Sequence, residues 1–516
     1  MAIQSRKTNR SRTIGLWLGL SAFLVLLLAP IAPENAAASN MAAVAVLMAI
    51  WWVTDPIPLF ATALLPLILF PSLGIMDGDA TAPVYFNSII VLFIGGFMIA
   101  LTMQKWNLHR RIALNIIHLV GSGPSRIILG FMIASAFLSM WISNTATAVM
   151  MVPIGLAIIL HIEKDFGPEI THKFSVGLML GIAYSASVGG LMTLLGTPPN
   201  LSLVRIFEIL FPSAPAIAFA QWMVVGVPIG LIMLGVIWLL ITQVFYRSPQ
   251  GLVVDQAVID KERAQLGEMS FEEKVILAVF AMFAVLLVLR VDLSLGFMTV
   301  PGWSRLLPFP ELVDDGTVAI ALASLLFLIP TRDQTQGYGR IMGPDVIPKL
   351  PWNIVLLFGG GFALAAGLQQ TGLAMIIGEQ LQALGSLPTF ITIMLVCMTI
   401  TFLTELASNT AMTEMILPVL AAVAVATGTH PLLLMIPATI SASCAFMMPV
   451  ATPPNAIVFG SERISVEEMV RIGIFLNLIG VLVITAILLL LGNTVFGIDP
   501  SMVPDWASSM AAGPDG

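Results

Sequence analysis

The stretch SNTATAVMMVPI at residues 143–154 recurs, with small changes, as SNTAMTEMILPV at residues 408–419. Two further motifs recur in the same order around this pair. GTPPN at 196–200 matches ATPPN at 451–455, and NSIIVLFIGGFMIAL at 87–101 matches WNIVLLFGGGFALAA at 352–366. The spacing between copies differs by only ten residues among the three pairs, so we interpret the chain as two repeated halves.

The composition of the chain is typical of a membrane protein. Of its 516 residues, 58% are hydrophobic and 10% are charged, whereas soluble domains have about 25% charged residues. Lipid accepts apolar side chains on the outside of a helical bundle, and long continuous apolar runs favour helices over a β-barrel. We therefore predict an all-α polytopic protein of the inner (plasma) membrane. Its expected transmembrane helices, about eleven, are 14–31, 40–54, 57–73, 87–104, 173–204, 220–246, 272–290, 313–330, 352–383, 430–459 and 466–495.

Two apolar stretches, 124–161 and 387–427, remain outside this set of helices. Each must leave the membrane on the side where it entered if the basic loops are to share one side. We predict that both are re-entrant helical hairpins. A pair of ordinary helices is the alternative in each case.

The charged loops indicate how the chain is oriented. The first twelve residues contain Arg6, Lys7, Arg10 and Arg12, whereas the C-terminal tail has aspartates and no basic residue. The positive-inside rule then places the N-terminus in the cytoplasm and the C-terminus outside, so that the second repeat is inverted relative to the first. Inverted repeats in transporters form a substrate site near the middle of the membrane. A signal peptide ending near the AAAS sequence at 36–39 is the alternative to a retained first helix.

The two SNT motifs, at 143–145 and 408–410, each lie in the middle of a predicted hairpin. Ser, Asn and Thr are poor residues inside a helix and good ones at its start, so they predict a hairpin tip where the second arm begins. That arm would direct its free N–H groups and the positive end of its dipole at the middle of the membrane. Capping alone is the alternative for one motif. Two motifs at matching positions favour a pair of tips that holds an anion.

The two TPPN motifs predict broken helices. Paired prolines remove N–H donors and end a helix, which frees carbonyl groups upstream of Pro198 and Pro453. Free carbonyls are costly in hydrocarbon, and a dehydrated sodium ion is a suitable partner for them. A kink satisfied by neighbouring side chains is the alternative.

The predicted core contains no basic side chain. Segments 128–160, 174–204 and 415–461 have no Asp, Glu, Lys or Arg, so a bound dianion would depend on helix N-termini and co-bound cations for its positive charge. Glu405 and Glu414 flank the second SNT motif and have no acidic counterpart in the first half. A supporting role is favoured for both, with a proton site as the alternative for Glu405. The two cysteines and five scattered histidines form no catalytic or metal-binding pattern, which argues against an intramembrane enzyme.

The doubled SNT motif, the doubled TPPN-type break and the GGGF segment resemble the divalent anion/sodium symporter (DASS) family over nearly the whole chain. The resemblance implies symport of C4-dicarboxylates such as succinate, malate or fumarate, with sodium as the coupling ion and no cofactor. A sulfate or citrate carrier and a sodium-independent dicarboxylate exchanger are the alternatives. It also implies a homodimer that works by an elevator motion. The transport domain would comprise 119–246 and 386–498, the scaffold 1–118 and 247–385 with a cytoplasmic loop, and the extracytoplasmic tail 499–516.

The same resemblance implies which residues bind the transported species. The substrate carboxylates would contact Ser143, Asn144, Thr145 and Thr197 of the first half, and Ser408, Asn409, Thr410, Thr452 and Pro453 of the second. A first sodium site would use Ser139, Ser143, Asn144 and Gly196. A second would use Thr404, Ala407, Asn409 and Ala451.

Overall fold

Regular structure in the computed structural model is almost entirely helical. The structure describes residues 2–121, 123–247, 257–294, 298–333, 338–380, 387–500 and 502–510. Within these ranges, strands are limited to one antiparallel pair, Leu293–Ser294 with Thr299–Val300. Parts of the predicted loop at 247–385 and of the tail at 499–516, and the predicted domain boundary at 386, lie outside the described residues.

The two halves contain twelve and ten α-helices among the described residues. Those of the first half are α1 Ala2–Leu28, α2 Ala36–Thr54, α3 Leu59–Thr62, α4 Leu65–Ser72, α5 Gly78–Val84, α6 Ser88–Lys105, α7 Leu108–Val120, α8 Pro124–Ser139, α9 Asn144–Phe166, α10 Pro168–Leu191, α11 Pro198–Leu210 and α12 Phe219–Leu239. Those of the second are α13 Ala257–Gln265, α14 Phe271–Val288, α15 Asp315–Leu328, α16 Trp352–Gln370, α17 Leu373–Gln380, α18 Thr389–Thr404, α19 Asn409–Ala426, α20 Leu432–Ala442, α21 Pro453–Phe459 and α22 Val466–Phe496.

Nine helices of the described part of the chain are long and apolar enough to cross a membrane, by length and composition. This confirms the prediction of an all-α polytopic membrane protein. Segment 57–73 is divided between α3 and α4, because Pro66 has no N–H to continue α3 into the next turn. Segment 352–383 is divided as well, since α16 ends before Gly372, which has a φ of +71°.

The two predicted hairpins are the pairs α8–α9 and α18–α19. Their first arms, α8 and α18, have 16 residues each, fewer than the about 20 residues that a full crossing needs. Each second arm starts at an SNT motif, where Ser143 and Ser408 are the N-cap residues. The short first arms favour hairpins that turn back within the membrane, whereas the second arms, α9 and α19, are long and apolar enough to cross it.

The two halves contact each other through the broken helices and hairpins. Helices α9 and α10 lie against α21, α11 lies against α19 and α20, and α12 lies against α22. Small residues permit close approach between neighbouring helices: a Cβ atom at Gly189 would collide with the backbone of Ala136, which brings α8 directly against α10. Cys397 and Cys444 are buried and unpaired, as expected for small apolar side chains.

Candidate functional site

A cavity of about 510 Å³ lies where the hairpin tips and the helix breaks of the two halves meet. The first half contributes residues 143–145 and 195–198, and the second contributes 406–410 and 450–454. The rest of the lining comes from α2, α3, α6 and α16 and from Asp55, beside the end of α2. This volume is in the range of small-molecule sites.

The predicted binding residues are concentrated at this one cavity. All nine residues predicted to contact the substrate line it: Ser143, Asn144, Thr145, Thr197, Ser408, Asn409, Thr410, Thr452 and Pro453. Six of the eight residues predicted to bind sodium also line it: Ser143, Asn144, Gly196, Ala407, Asn409 and Ala451. The other two, Ser139 and Thr404, are fully buried and lie outside the lining.

Two helix N-termini meet at the cavity. Ser143 Oγ accepts a hydrogen bond from the backbone N–H of Ala146 at 3.2 Å, and Ser408 Oγ accepts one from Ala411 at 3.5 Å. These caps start α9 and α19 at Asn144 and Asn409. The first N–H groups of a helix have no acceptor within the helix and form the positive end of its dipole. The site therefore offers two electropositive ends to an anion without a basic side chain.

The helix breaks are located at the TPPN motifs. Helices α11 and α21 begin at Pro198 and Pro453, because proline suits the first position of a helix but cannot continue one. The preceding stretches, 192–197 and 443–452, are not helical. The predicted breaks are confirmed, and both unwound stretches reach the cavity.

The asparagines of the TPPN motifs bind several of the freed carbonyls. Asn200 Nδ2 donates to the carbonyl oxygen of Thr193 at 2.6 Å and lies 3.3 Å from that of Gly190. Asn455 Nδ2 lies 3.1 Å from the carbonyl oxygens of both Ala445 and Met448. Neighbouring side chains thus satisfy some of the freed carbonyl groups at each break, which was the alternative to sodium binding. This role of the asparagines was not predicted, although an asparagine that recurs after paired prolines was a signal for it.

Oxygen atoms of the first half converge around Asn144. In the orientation that satisfies its neighbours, its amide nitrogen lies 3.2 Å from the carbonyl oxygens of Gly196 and Ala186 and within hydrogen-bonding distance of Ser139 Oγ, so its two N–H hydrogens are shared among the three acceptors. A Cβ atom at Gly196 would collide with the Gly190 carbonyl, so only glycine permits this approach. We call Ser139, Ala186, Gly190, Gly196 and Asn144 the first oxygen cluster.

A corresponding group surrounds Asn409 in the second half. Thr404 Oγ1 lies 2.6 Å from Asn409 Oδ1 and 3.0 Å from the carbonyl oxygen of Ala442, which share its hydrogen. Thr404 occupies the position in this repeat that Ser139 occupies in the first. We call Thr404, Asn409 and Ala442 the second oxygen cluster. The repeat thus places a buried hydroxyl group behind each SNT asparagine.

Glu405 organises the unwound stretch that precedes Thr452. Its carboxylate accepts backbone N–H groups of Phe446 at 2.8 Å, Met447 at 2.9 Å and Met448 at 2.9 Å. Asn477 Nδ2 of α22 donates to it at 2.8 Å. These contacts fit the expected supporting role. They connect the hairpin tip, where Glu405 lies, with the helix break, and their partners are not groups of the tip itself.

Glu414 lies away from the cavity lining. Its side chain is fully buried on α19, where Oε1 accepts a hydrogen bond from Ser202 Oγ of α11. A Cβ atom at Gly361 would collide with the Glu414 carboxyl group, so α16 approaches α19 at this point. Glu414 therefore links three helices and has no contact with the cavity.

Eight lining residues from outside the hairpin tips and helix breaks were not predicted. They come from the elements assigned to the scaffold and include one acid, Asp55, and one amide, Asn353. The remainder are mostly apolar: Trp52, Val53, Leu59, Phe97, Ile354 and Leu357. None belongs to the SNT or TPPN motifs, and only the packing of α2, α6 and α16 against the hairpins brings them to the cavity.

A helical polytopic fold with a cavity at the meeting point of two repeats, lined by polar motif residues of both, is the architecture of a membrane transporter. Solved structures share the fold. MtrF of Neisseria gonorrhoeae, described as illuminating a class of antimetabolite efflux pumps, has a TM-score of 0.56 at 12% identity over 82% of this chain and 83% of its own. The YdaH transporter of Alcanivorax borkumensis has a TM-score of 0.54 at 12% identity over 87% and 99%. These likenesses concern the fold alone.

The chain belongs to the family described as the sodium:sulfate symporter transmembrane region, whose model matches residues 10–498. The sodium-dependent dicarboxylate transporter SdcS of Staphylococcus saprophyticus is 41% identical over 509 residues, which cover 97% of this chain and 96% of that protein. SdcS of Staphylococcus aureus is 41% identical over 498 residues, covering 95% and 93%. The resemblance to the DASS family is confirmed, and the protein is a transporter and not an enzyme.

Proposed function

We propose that this chain is a secondary active transporter that carries C4-dicarboxylates together with sodium across the plasma membrane. One observation carries the proposal: two repeat-related helix N-termini meet at one cavity, whose lining among the described residues includes no lysine or arginine. The relatives named as sodium-dependent dicarboxylate transporters support this substrate class.

The two hairpin tips suit the two ends of a dicarboxylate. At one end, a carboxylate would meet the first N–H groups of α9 together with the side chains of Ser143, Asn144 and Thr145. At the other end, the N-terminus of α19 would offer Ser408, Asn409 and Thr410. Thr197, Thr452 and Pro453, at the helix breaks, line the cavity beside them. Hydrogen bonds from such groups to a charged carboxylate are among the stronger ones in proteins.

The two oxygen clusters are suited to sodium ions. Their groups are carbonyl, hydroxyl and carboxamide oxygens, the ligands that transporters use for sodium beside unwound helices. Asn144 could serve the site both without and with bound sodium. Without the ion, its nitrogen can donate to the carbonyls of Gly196 and Ala186. A half-turn about its last side-chain bond would present its oxygen to a cation instead. Ser139, Ser143 and Gly196 would complete the first site. Thr404, Ala407 and Ala451 would complete the second around Asn409.

Electrostatics explains why sodium and dianion would travel together. Bringing two negative charges into a site surrounded by apolar helices has a desolvation cost of several kcal/mol per charge. Helix N-termini offset part of that cost, at roughly 0.3–2 kcal/mol each. Sodium ions in the adjacent clusters would offset most of the remainder. The empty and the fully loaded cavity would then be the two arrangements with little uncompensated charge.

The surroundings of the cavity support one orientation in the membrane. Asp55 of the lining forms an ion pair with Arg12, which lies near the basic end of α1. Since basic ends of helices lie in the cytoplasm by the positive-inside rule, the cavity would open inward, with the N-terminus cytoplasmic and the tail outside.

Alternating access would come from an elevator motion of one body against the other. The moving body would comprise 119–246 and 386–498, which contain both hairpins and both breaks; the fixed body would comprise 1–118 and 247–385. In support of this division, the hairpins and broken helices of the two halves contact one another, as a single moving unit requires. The fixed bodies of two copies would form a homodimer, which light scattering of the detergent-solubilised protein would test.

Replacing sodium by choline is expected to reduce succinate uptake into proteoliposomes at least tenfold, because the dianion would lose its compensating charge. Radiolabelled succinate is measured under both conditions, with lipid vesicles lacking the protein as the blank. Equal uptake in both cations would contradict the coupling and would support the exchanger alternative, which preloaded succinate inside the vesicles would then reveal.

Competition separates dicarboxylates from the other candidate substrates. Unlabelled malate and fumarate are expected to inhibit labelled succinate uptake, whereas sulfate and citrate at the same concentration are expected to inhibit it weakly. Stronger inhibition by sulfate or citrate would reassign the substrate and leave the site geometry unchanged.

A further inference from the structure

The lining of the cavity includes one charged side chain among the described residues, and it is acidic. Asp55 lies directly after α2 and faces the same space as the SNT residues. An acid there would repel the dianion that, on the proposed function, enters this cavity. It also occupies the C-cap position of α2, where the helix dipole is already negative. Both effects require a compensating positive charge close to Asp55.

Arg12 of α1 provides that charge. Its Nη2 lies 2.8 Å from Asp55 Oδ2, and both side chains are about half exposed, at 53% and 47%. The pair joins two elements that are 43 positions apart in the chain, and Arg12 itself lies outside the lining. Exposed ion pairs of this kind contribute about 0–1 kcal/mol to stability, so its main consequence is for the charge of the cavity and not for folding.

The contact between α1 and α2 positions the pair. Two glycines of α1 allow the approach, because a Cβ atom at Gly15 would collide with Thr54 and one at Gly19 would collide with Trp51. Trp51 Nε1 donates to the carbonyl oxygen of Leu16 at 3.3 Å. Arg12 lies one helical turn before Leu16, which places it beside the end of α2.

Asp55, the acidic member of the ion pair, has a well-defined backbone position. Asp55 has a left-handed conformation, with φ of +47°, and its N–H donates to the carbonyl oxygen of Trp51 at 2.9 Å. The next residue is Pro56, whose fixed φ stiffens the chain that follows. These contacts hold the backbone of Asp55 in place at the edge of the cavity that the residue lines.

We infer that Arg12 raises the affinity of this face of the transporter for a dianion: by neutralising Asp55, it keeps the entrance of the cavity free of net negative charge. The inference rests on the proposed function. Without Arg12, the repulsion between Asp55 and a dianion about 8 Å away in water corresponds to roughly a fivefold loss of affinity. This loss of affinity is expected only for a dianion that enters from the face on which the cavity opens. Affinity at the opposite face of the membrane should not change.

The test compares the two faces of the full-length protein in proteoliposomes. Sodium-dependent transport of succinate is measured with right-side-out and inverted populations, selected by a blocking antibody against a terminal tag. Arg12→Gln is expected to raise KM about fivefold on one face, with the maximal rate within twofold of the unsubstituted protein. Asp55→Asn is expected to lower KM or leave it unchanged, and the double variant to return KM to within twofold. Raising the ionic strength should reduce the effect of Arg12→Gln, because both groups are exposed.

Arg10→Gln is the matched control. Arg10 is an exposed arginine on the same helix, two residues before Arg12, and it carries the same charge without pairing to Asp55. A KM for Arg12→Gln that is unchanged on both faces, or raised equally by Arg10→Gln, overturns the inference. If Arg12→Gln does not fold, the double variant decides: a KM within twofold of the unsubstituted protein supports the inference, and a larger KM contradicts it, because Asp55 would no longer carry a charge for Arg12 to neutralise. Absence of sodium-dependent succinate transport in the unsubstituted protein would instead contradict the proposed function.

Discussion

Asn409→Ala is expected to reduce sodium-dependent succinate uptake by about two orders of magnitude, and Asn144→Ala to do the same. Each asparagine starts the second arm of a hairpin, faces the cavity and lies in an oxygen cluster. On the proposed function, its removal would delete both a substrate contact and a sodium ligand. Loss of a hydrogen bond to a charged group alone corresponds to about 1.5–3 kcal/mol, or roughly a hundredfold in affinity at the upper end.

The loss of uptake can be assigned to the binding site only if both variants are expressed and folded normally. Asn493→Ala is the matched control, since Asn493 is an exposed asparagine near the end of α22. Its uptake and its elution volume in size-exclusion chromatography should equal those of the unsubstituted protein. Uptake within twofold of normal in both Asn144→Ala and Asn409→Ala, at normal expression, would exclude the proposed binding residues.

Glu405→Ala is expected to destabilise the protein by about 5 kcal/mol and to reduce uptake below a tenth. The carboxylate accepts three consecutive backbone N–H groups in a buried, unwound stretch, and each unpaired N–H would cost about 1–3 kcal/mol. Glu405→Gln should have an intermediate effect. Its carbonyl oxygen can still accept, while its NH₂ group would face at least one donor. Melting temperature and uptake are measured on the same preparations.

Glu467→Ala provides the comparison for Glu405→Ala. Glu467 is an exposed glutamate in the first turn of α22, and its loss should leave both the melting temperature and uptake nearly unchanged. If Glu405→Ala melts at the same temperature as the control and transports normally, the carboxylate does not hold the break. Altered uptake with an unchanged melting temperature would favour the proton site that the sequence analysis kept as the alternative.

The two halves are symmetric in their polar groups around the cavity and asymmetric in how these groups are supported. Ser139 and Thr404 correspond in the repeat, as do Asn200 and Asn455. Glu405 has no counterpart, because the first half has Met140 at that position. Thr193 is a partial substitute: its Oγ1 lies 2.5 Å from the carbonyl oxygen of Met140 and accepts the N–H of Gly196 at 3.1 Å. The unwound stretches are thus held by a hydroxyl in one half and a carboxylate in the other.

The composition and the long apolar runs were sufficient to predict the helical membrane fold, and the recurring SNT and TPPN motifs were sufficient to predict the hairpin tips and the breaks. The physics involved is local: a serine caps the helix that starts after it, and proline ends a helix wherever it occurs. Such effects act within about four residues and are therefore visible in the chain itself. The nine residues that the family resemblance implies as substrate contacts all line one cavity.

Contacts between distant segments were decided by the tertiary structure. Glu405 meets 446–448, Arg12 meets Asp55, and Asn353 reaches a cavity formed by other helices. A hydrophobic pattern shows that a helix has an apolar face but not which helix covers it, and in these long apolar segments nearly every face is suitable. The partners of these polar groups therefore depend on how some twenty helices pack together, and only the folded chain determines them.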